Sequence, residues 1–182
     1  MTTSNSYTVP GMSTDEGARV AALLQDRLNA YNDLHLTLKH IHWNVVGPNF
    51  ISVHEMLDPQ VETVRGFADD VAERIATLGS SAMGTPGTIV EQRSWDDYSI
   101  GRATAIEHLG ALDLVYTGVI TDTRKAIEEI GKVDPVTEDL LIGQSGQLEL
   151  FHWFVRAHLE NSGGQLSTSG ASSEKQAAAD AS

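Results

Sequence analysis

Apolar residues recur along the chain in steps of three and four, the period of one helix face rather than of a strand. The first stripe is Val20, Leu24, Leu28, Tyr31, Leu38 and Val45, with His35 and His42 filling its two gaps. Ser13 and Glu16, just upstream, have the spacing of a capping box, in which each side chain satisfies the other's free backbone N–H. The pattern predicts a helix of about 30 residues. Gly47-Pro48-Asn49 stops it, because Gly accepts the left-handed cap and Pro cannot continue a helix.

A second stripe follows at Val53, Leu57, Val61, Val64, Ala68, Val71, Ile75 and Leu78. Pro59 falls inside it, where Pro removes one hydrogen bond and kinks the axis. Asp58-Pro59 could instead open a new helix. Ser52 and Glu55 already offer a capping box upstream, which favours one kinked helix. A third helix is expected near 100–131, with Leu109, Leu112, Tyr116, Val119, Ile127 and Ile130 on one side. Asp134-Pro135 starts a fourth, with Asp as N-cap and Pro in the first position. Its stripe is Leu141, Leu148, Phe151, Val155 and Leu159, and Ser162-Gly163-Gly164 ends it.

Between the second and third helices, 79–87 reads as a Gly-rich loop and Ser94-Trp95-Asp96-Asp97-Tyr98 as a short helix. Four long helices and one long connection predict an all-α four-helix bundle over residues 14–162. Residues 1–13 read as a polar tail. Residues 163–182 carry one large apolar side chain, Leu166, and are expected to form a flexible tail that cannot bury enough surface to order itself.

Composition narrows the chemistry. The 182 residues fit one domain. A net charge of -13, from 25 acidic and 12 basic residues, argues against a broad nucleic-acid-binding face, which needs clustered Lys and Arg. The lack of Cys excludes disulfides, iron–sulfur clusters, Cys-type zinc sites and thiol catalysis. No run of about 18 apolar residues exists to span a membrane. Residues 1–13 lack the basic and apolar parts of a signal peptide, so a cytoplasmic location is expected. The 79–87 loop lacks the Gly-Lys-Ser/Thr ending of a phosphate loop. With seven His, a metal held by nitrogen and oxygen remains open.

The densest constellation is Lys39-His40-Ile41-His42-Trp43-Asn44, followed by His54, Asp58, Asp69 and Glu73. His54 with Asp58, and Asp69 with Glu73, are i,i+4 pairs, so each pair shares a helix face and could bind one metal. Mixed imidazole and carboxylate donors suit iron, manganese or zinc. Glu149-x-x-His152 matches half of a di-iron bundle motif, but the second copy is missing. Asp58 and Asp69 are eleven residues apart, about 16 Å along a helix. One chain therefore cannot close both pairs around one ion. Two chains packed antiparallel about a two-fold axis could, and symmetry would then make two sites.

The stretch from Lys39 through Gly47-Pro48-Asn49-Phe50 and Val53-His54-Glu55-Met56-Leu57-Asp58 to Asp69 and Ala72-Glu73-Arg74 resembles the signature of the Dps family, ferritin-like proteins named for DNA binding in starved cells. The resemblance implies a hollow homododecamer of four-helix subunits, with a short extra helix in the connection between the second and third long helices. It implies oxidation of Fe(II), usually by hydrogen peroxide, and storage of Fe(III) mineral inside the shell. By position, His42, His54 and Asp58 would come from one subunit and Asp69 and Glu73 from its partner. Trp43 could donate an electron when one iron is present, and Lys39 could pair with a site carboxylate. Acidic pores near the start of the last helix would admit iron, with Asp134, Asp139 and Glu138 as the candidates here.

The resemblance also suggests DNA binding through Lys-rich tails, and here the chain departs from it. Residues 1–13 have no basic side chain, and 163–182 hold Lys175 against Glu174 and Asp180. Twelve such chains would carry about -156 charges, which repel phosphate. Weak or no DNA binding is expected. A DNA-compacting structural protein and a metal-dependent hydrolase are the alternative functions. For the latter, His and carboxylate ligands could activate a water. Gly143-Gln144-Ser145-Gly146-Gln147 misses the Gly-x-Ser-x-Gly elbow of a serine route.

Overall fold

The computed structural model describes residues 6–182. Its elements are α1 (Thr14–Asn44), β1 (Val45–Val46), α2 (Phe50–Thr77), α3 (Pro86–Gln92), β2 (Ala103–Thr104), α4 (Ala105–Ile130), α5 (Pro135–Leu159) and α6 (Glu174–Ala181). The four long helices form the bundle, with α1 packed along α2 and α4 along α5.

The stripes became the core. Every residue of the second and fourth stripes is buried, and Leu24, Tyr31, Leu38, Leu57, Val64, Val71, Leu112, Tyr116, Leu141 and Val155 are essentially sealed. Val119 and Ile127 of the third stripe are only partly buried. Truncating a sealed Leu to Ala would cost about 2–5 kcal/mol, so these positions carry much of a marginal stability.

Local signals explain most helix ends. Ser13 and Glu16 form the reciprocal capping box at α1. A second box, Thr104 with Glu107, starts α4 at Ala105 rather than near 100. Asp134 caps α5 by accepting from the Val136 N–H, with Pro135 in the first turn. The expected Ser52–Glu55 box does not form. The α2 helix begins earlier, at Phe50, so Ser52 lies inside the first turn and its hydroxyl donates to the Asn49 carbonyl. That helix continues through Pro59. α1 ends at Asn44 because the chain turns extended to pair β1 in parallel with β2, Val45 with Ala103 and Val46 with Thr104.

The short helix lies elsewhere in the connection than expected. It is α3, opened by Pro86 after Thr85. Residues 94–98 are non-helical and are held by side chains instead: Trp95 Nε1 donates to Asp33, and Arg93 bridges Asp33 and Asp97.

The ends also differ from the expectation of free tails. Residues 1–5 lie outside the described residues, but Val9 and Met12 pack against the core. Gly79, with φ of 85°, lets the 79 backbone pass the Tyr7 carbonyl, where a Cβ would come to 2.1 Å. The 163–182 segment turns back on the bundle. Its α6 lies along α4, with Ala177 and Ala178 buried. Small Ala side chains permit the close approach, and Gly110 on α4 completes it: a Cβ there would sit 2.4 Å from the Ala177 carbonyl. Burial between two backbones thus replaces the large side chains the segment lacks. Among the described residues no helix is long and apolar enough to cross a membrane.

Candidate metal centre

His42 lies in the last turn of α1 and His54 early in α2, and the turn between the helices brings the rings face to face. Their centroids are 3.5 Å apart with an interplanar angle of 23°. His42 Nδ1 is 2.9 Å from the His54 carbonyl, and His54 Nδ1 is 2.8 Å from the His42 carbonyl. A carbonyl can only accept, so each Nδ1 carries a hydrogen, and in the neutral form of the ring each Nε2 then keeps its lone pair. This is the tautomer a metal ligand requires.

Asp58 follows one turn after His54. Its Oδ1 is 2.7 Å from Lys39 Nζ and 3.2 Å from His42 Nδ1. The hydrogen bond from Lys39 is the main cause holding the Asp58 carboxyl below the usual aspartate range, with the His42 and His54 rings adding smaller contributions. Lys39 pairs with Asp58, one of the carboxylates proposed from the sequence. The carboxylate is half exposed and so remains open to a ligand.

Asp69 and Glu73 are not part of this cluster. They sit exposed on α2, one turn apart, and Asp69 borders a separate hollow with Asn32, His35 and Arg65. No group of three or more His, Asp or Glu among the described residues is arranged to hold a metal within one chain. The chain holds His42, His54 and Asp58 together at the α1–α2 turn, and Asp69 and Glu73 apart from them on α2. Trp43, beside His42, is 69% exposed, and Phe50 packs on His54 with centroids 4.9 Å apart.

Other sequence candidates are engaged elsewhere. Asp134 is buried and ion-paired with Arg74 at 2.7 Å, and it also accepts from the Thr137 hydroxyl. Burial opposes its ionisation, but Thr137 and Arg74 outweigh this and hold its carboxyl low. It acts as a cap and a strut, which leaves no free carboxylate to line a pore. Glu138 is half-buried with its carboxylate over Gly131, whereas Asp139 is exposed. Glu149 pairs with Arg124, and His152 Nε2 lies 2.6 Å from Asp113, so both residues of the apparent di-iron half-motif are engaged by other partners. Ser145 is buried against Glu149, with no imidazole partner among the described residues.

Sequence reasoning missed Asp113. It is buried on α4 and accepts from His152, from Arg156 Nε at 2.8 Å and from the Thr168 hydroxyl at 2.7 Å. The available signal was an acid among the core positions Leu109, Leu112 and Tyr116, opposite an i,i+4 His/Arg pair on α5. Its partner Thr168 lies in the segment read as a tail.

Comparison with known proteins identifies the family of the chain. Residues 21–162 match the model of the ferritin-like domain. A DNA protection during starvation protein from Mycolicibacterium smegmatis is 65% identical over 173 residues, which span 95% of this chain and 94% of the relative. The fine tangled pili major subunit of Haemophilus ducreyi is 51% identical over 160 residues, 88% of this chain and 85% of that one. The solved structure of Mycobacterium smegmatis Dps superposes with a TM-score of 0.90 at 65% identity, covering 91% of this chain and 95% of that chain. The chain is a member of the ferritin-like family and, within it, of the Dps proteins.

Proposed function

We propose that this chain oxidises Fe(II), with hydrogen peroxide as the oxidant, and stores the Fe(III) as mineral inside a hollow homododecamer in the cytoplasm. The observation that carries this reading is the His42–His54 stack, in which both Nδ1 atoms are tied to carbonyls and both Nε2 lone pairs are left for a metal. The two half-sites support completion across a two-fold contact. His42, His54 and Asp58 would come from one subunit, and Asp69 and Glu73 from the other.

The residues divide the work. The carboxylates favour the higher charge of Fe(III), and the neutral imidazoles complete coordination while leaving positions open. Two Fe(II) and one peroxide, with two protons, give two Fe(III) and two waters, so no hydroxyl radical is released. Trp43 is the electron donor when a single Fe(II) is bound. Asp139, with Glu138 beside it, is the better candidate for an acidic iron inlet, since Asp134 is held by Arg74. Protection of DNA, the role named for the relative, would follow here from removal of iron and peroxide rather than from coating the duplex.

Mixing anaerobic protein with Fe(II) and peroxide and following Fe(III) absorbance tests the reading. Asp69→Ala combined with Glu73→Ala should slow the fast phase to the protein-free rate. An unchanged rate would remove the site assignment. Twelve chains of 19.6 kDa predict a particle of about 235 kDa, and a monomer in solution would remove the cage.

A further inference from the structure

We propose that the hollow between α1, α4 and the start of α6 binds an amphipathic monocarboxylate, gripped at its head by Arg27. Arg27 is only 6% exposed, and a buried guanidinium is costly unless it is paired. Among the described residues it makes no ion pair. Its Nη1 makes two long hydrogen bonds, 3.4 Å to the Val119 carbonyl and 3.4 Å to the Thr123 hydroxyl. Nε and Nη2 have no partner among the described residues, yet they are not among the buried side-chain atoms sealed off without one. The Nε–Nη2 edge holds a carboxylate by two parallel bonds, and here that edge is free.

Arg27 lines a cavity of about 510 Å³, within the usual range for small-molecule sites. Leu34, Leu114, Val115, Trp95 and Tyr98 give it largely apolar and aromatic walls. Acidic residues also line it, but most are already paired. Asp33 and Asp97 are held by Arg93, Asp122 by Lys125, and Glu174 by the Ser99 N–H and hydroxyl. Asp96 is exposed. Lys175 also lines the cavity but is exposed at its edge, so among the described residues Arg27 is the buried lining cation without an ion pair, and it matches a single carboxylate, while the acidic rim disfavours a dianion such as a phosphate monoester. An apolar tail of several carbons would fill the space between the walls.

Gly118 offers a control that leaves the core alone. It lines the cavity on α4, and a Cβ there meets nothing within 4 Å. Gly118→Leu fills the cavity and also improves helix propensity. Isothermal titration calorimetry of the assembled protein with octanoate should give saturable binding at one site per chain. Arg27→Met should weaken it at least tenfold, Gly118→Leu should abolish it while retaining the native melting transition, and 1-octanol should bind at least tenfold more weakly. Three results would overturn the proposal: no saturable octanoate binding, octanoate binding that survives Gly118→Leu, or octanol binding equal to octanoate. If Arg27→Met does not fold, Gly118→Leu and the octanol comparison decide.

Discussion

His42 and His54 hold each other: each ring's Nδ1 is bonded to the other residue's backbone carbonyl, and the rings stack at 3.5 Å. Turning either imidazole breaks its own bond to a carbonyl and the stack that the two rings share. His42→Ala and His54→Ala should therefore each abolish the fast phase of Fe(II) oxidation, and the double variant should be no slower than either single one. Stopped-flow absorbance on the three proteins checks this. Losses that multiply would mean that the rings act independently.

Lys39 extends the ionisation of Asp58 to lower pH. Without the 2.7 Å contact, the Asp58 carboxyl returns upward toward its ordinary value. Protons then compete with Fe(II) at higher pH. Lys39→Met should move the acid limb of the oxidation rate to higher pH, up to but not beyond the ordinary aspartate range of about 4. Superimposable pH profiles would rule out this role for Lys39.

Asp113 should be the strongest electrostatic determinant of stability. Burial opposes its charge, but His152, Arg156 and Thr168 together hold its carboxyl far below the aspartate range. Its folded pKa is depressed, so its contribution is complete above the unfolded value of about 3.9 and lost as pH falls toward the folded one. Asp113→Asn should cost about 2–4 kcal/mol at neutral pH. Denaturant unfolding should show the gap from the parent shrinking below about pH 4. A gap that does not change with pH would assign the loss to packing alone.

Gly110 should decide whether α6 docks. Gly110→Val puts a branched side chain where the Ala177 carbonyl now lies, at a cost of about 1–3 kcal/mol. Hydrogen exchange should show α6 amides losing protection while α5 amides keep theirs. Continued protection of α6 would mean that α4 can yield.

DNA binding should be absent at physiological salt. The described chain ends offer Lys175 as their single Lys or Arg beyond residue 162, and α6 packs that stretch against α4. A gel-shift titration should leave plasmid mobility unchanged, and retardation by purified protein would refute this.

The helices were legible because burial follows period: each stripe residue of α2 and α5 reached the core. Caps written within four residues, as at Ser13–Glu16 and Asp134–Pro135, were legible too. What was not legible depended on distant partners. α1 ended early because β2, some sixty residues on, pairs with Val45 and Val46. Trp95 is non-helical because Asp33 accepts its N–H. The proximity of His42, His54 and Asp58 could be read from one turn between two helices, whereas Asp113 acquires its meaning only when Thr168 folds back.

The docking of α6 has a practical side. The Ser182 hydroxyl donates to the Ala178 carbonyl, and α6 is buried against α4 just upstream. A fluorophore or peptide fused after Ser182 would start from a fixed point beside α4 rather than from a long leash. In the proposed assembly, the spacing between groups displayed on neighbouring copies would then be set by the fold and could be chosen by design.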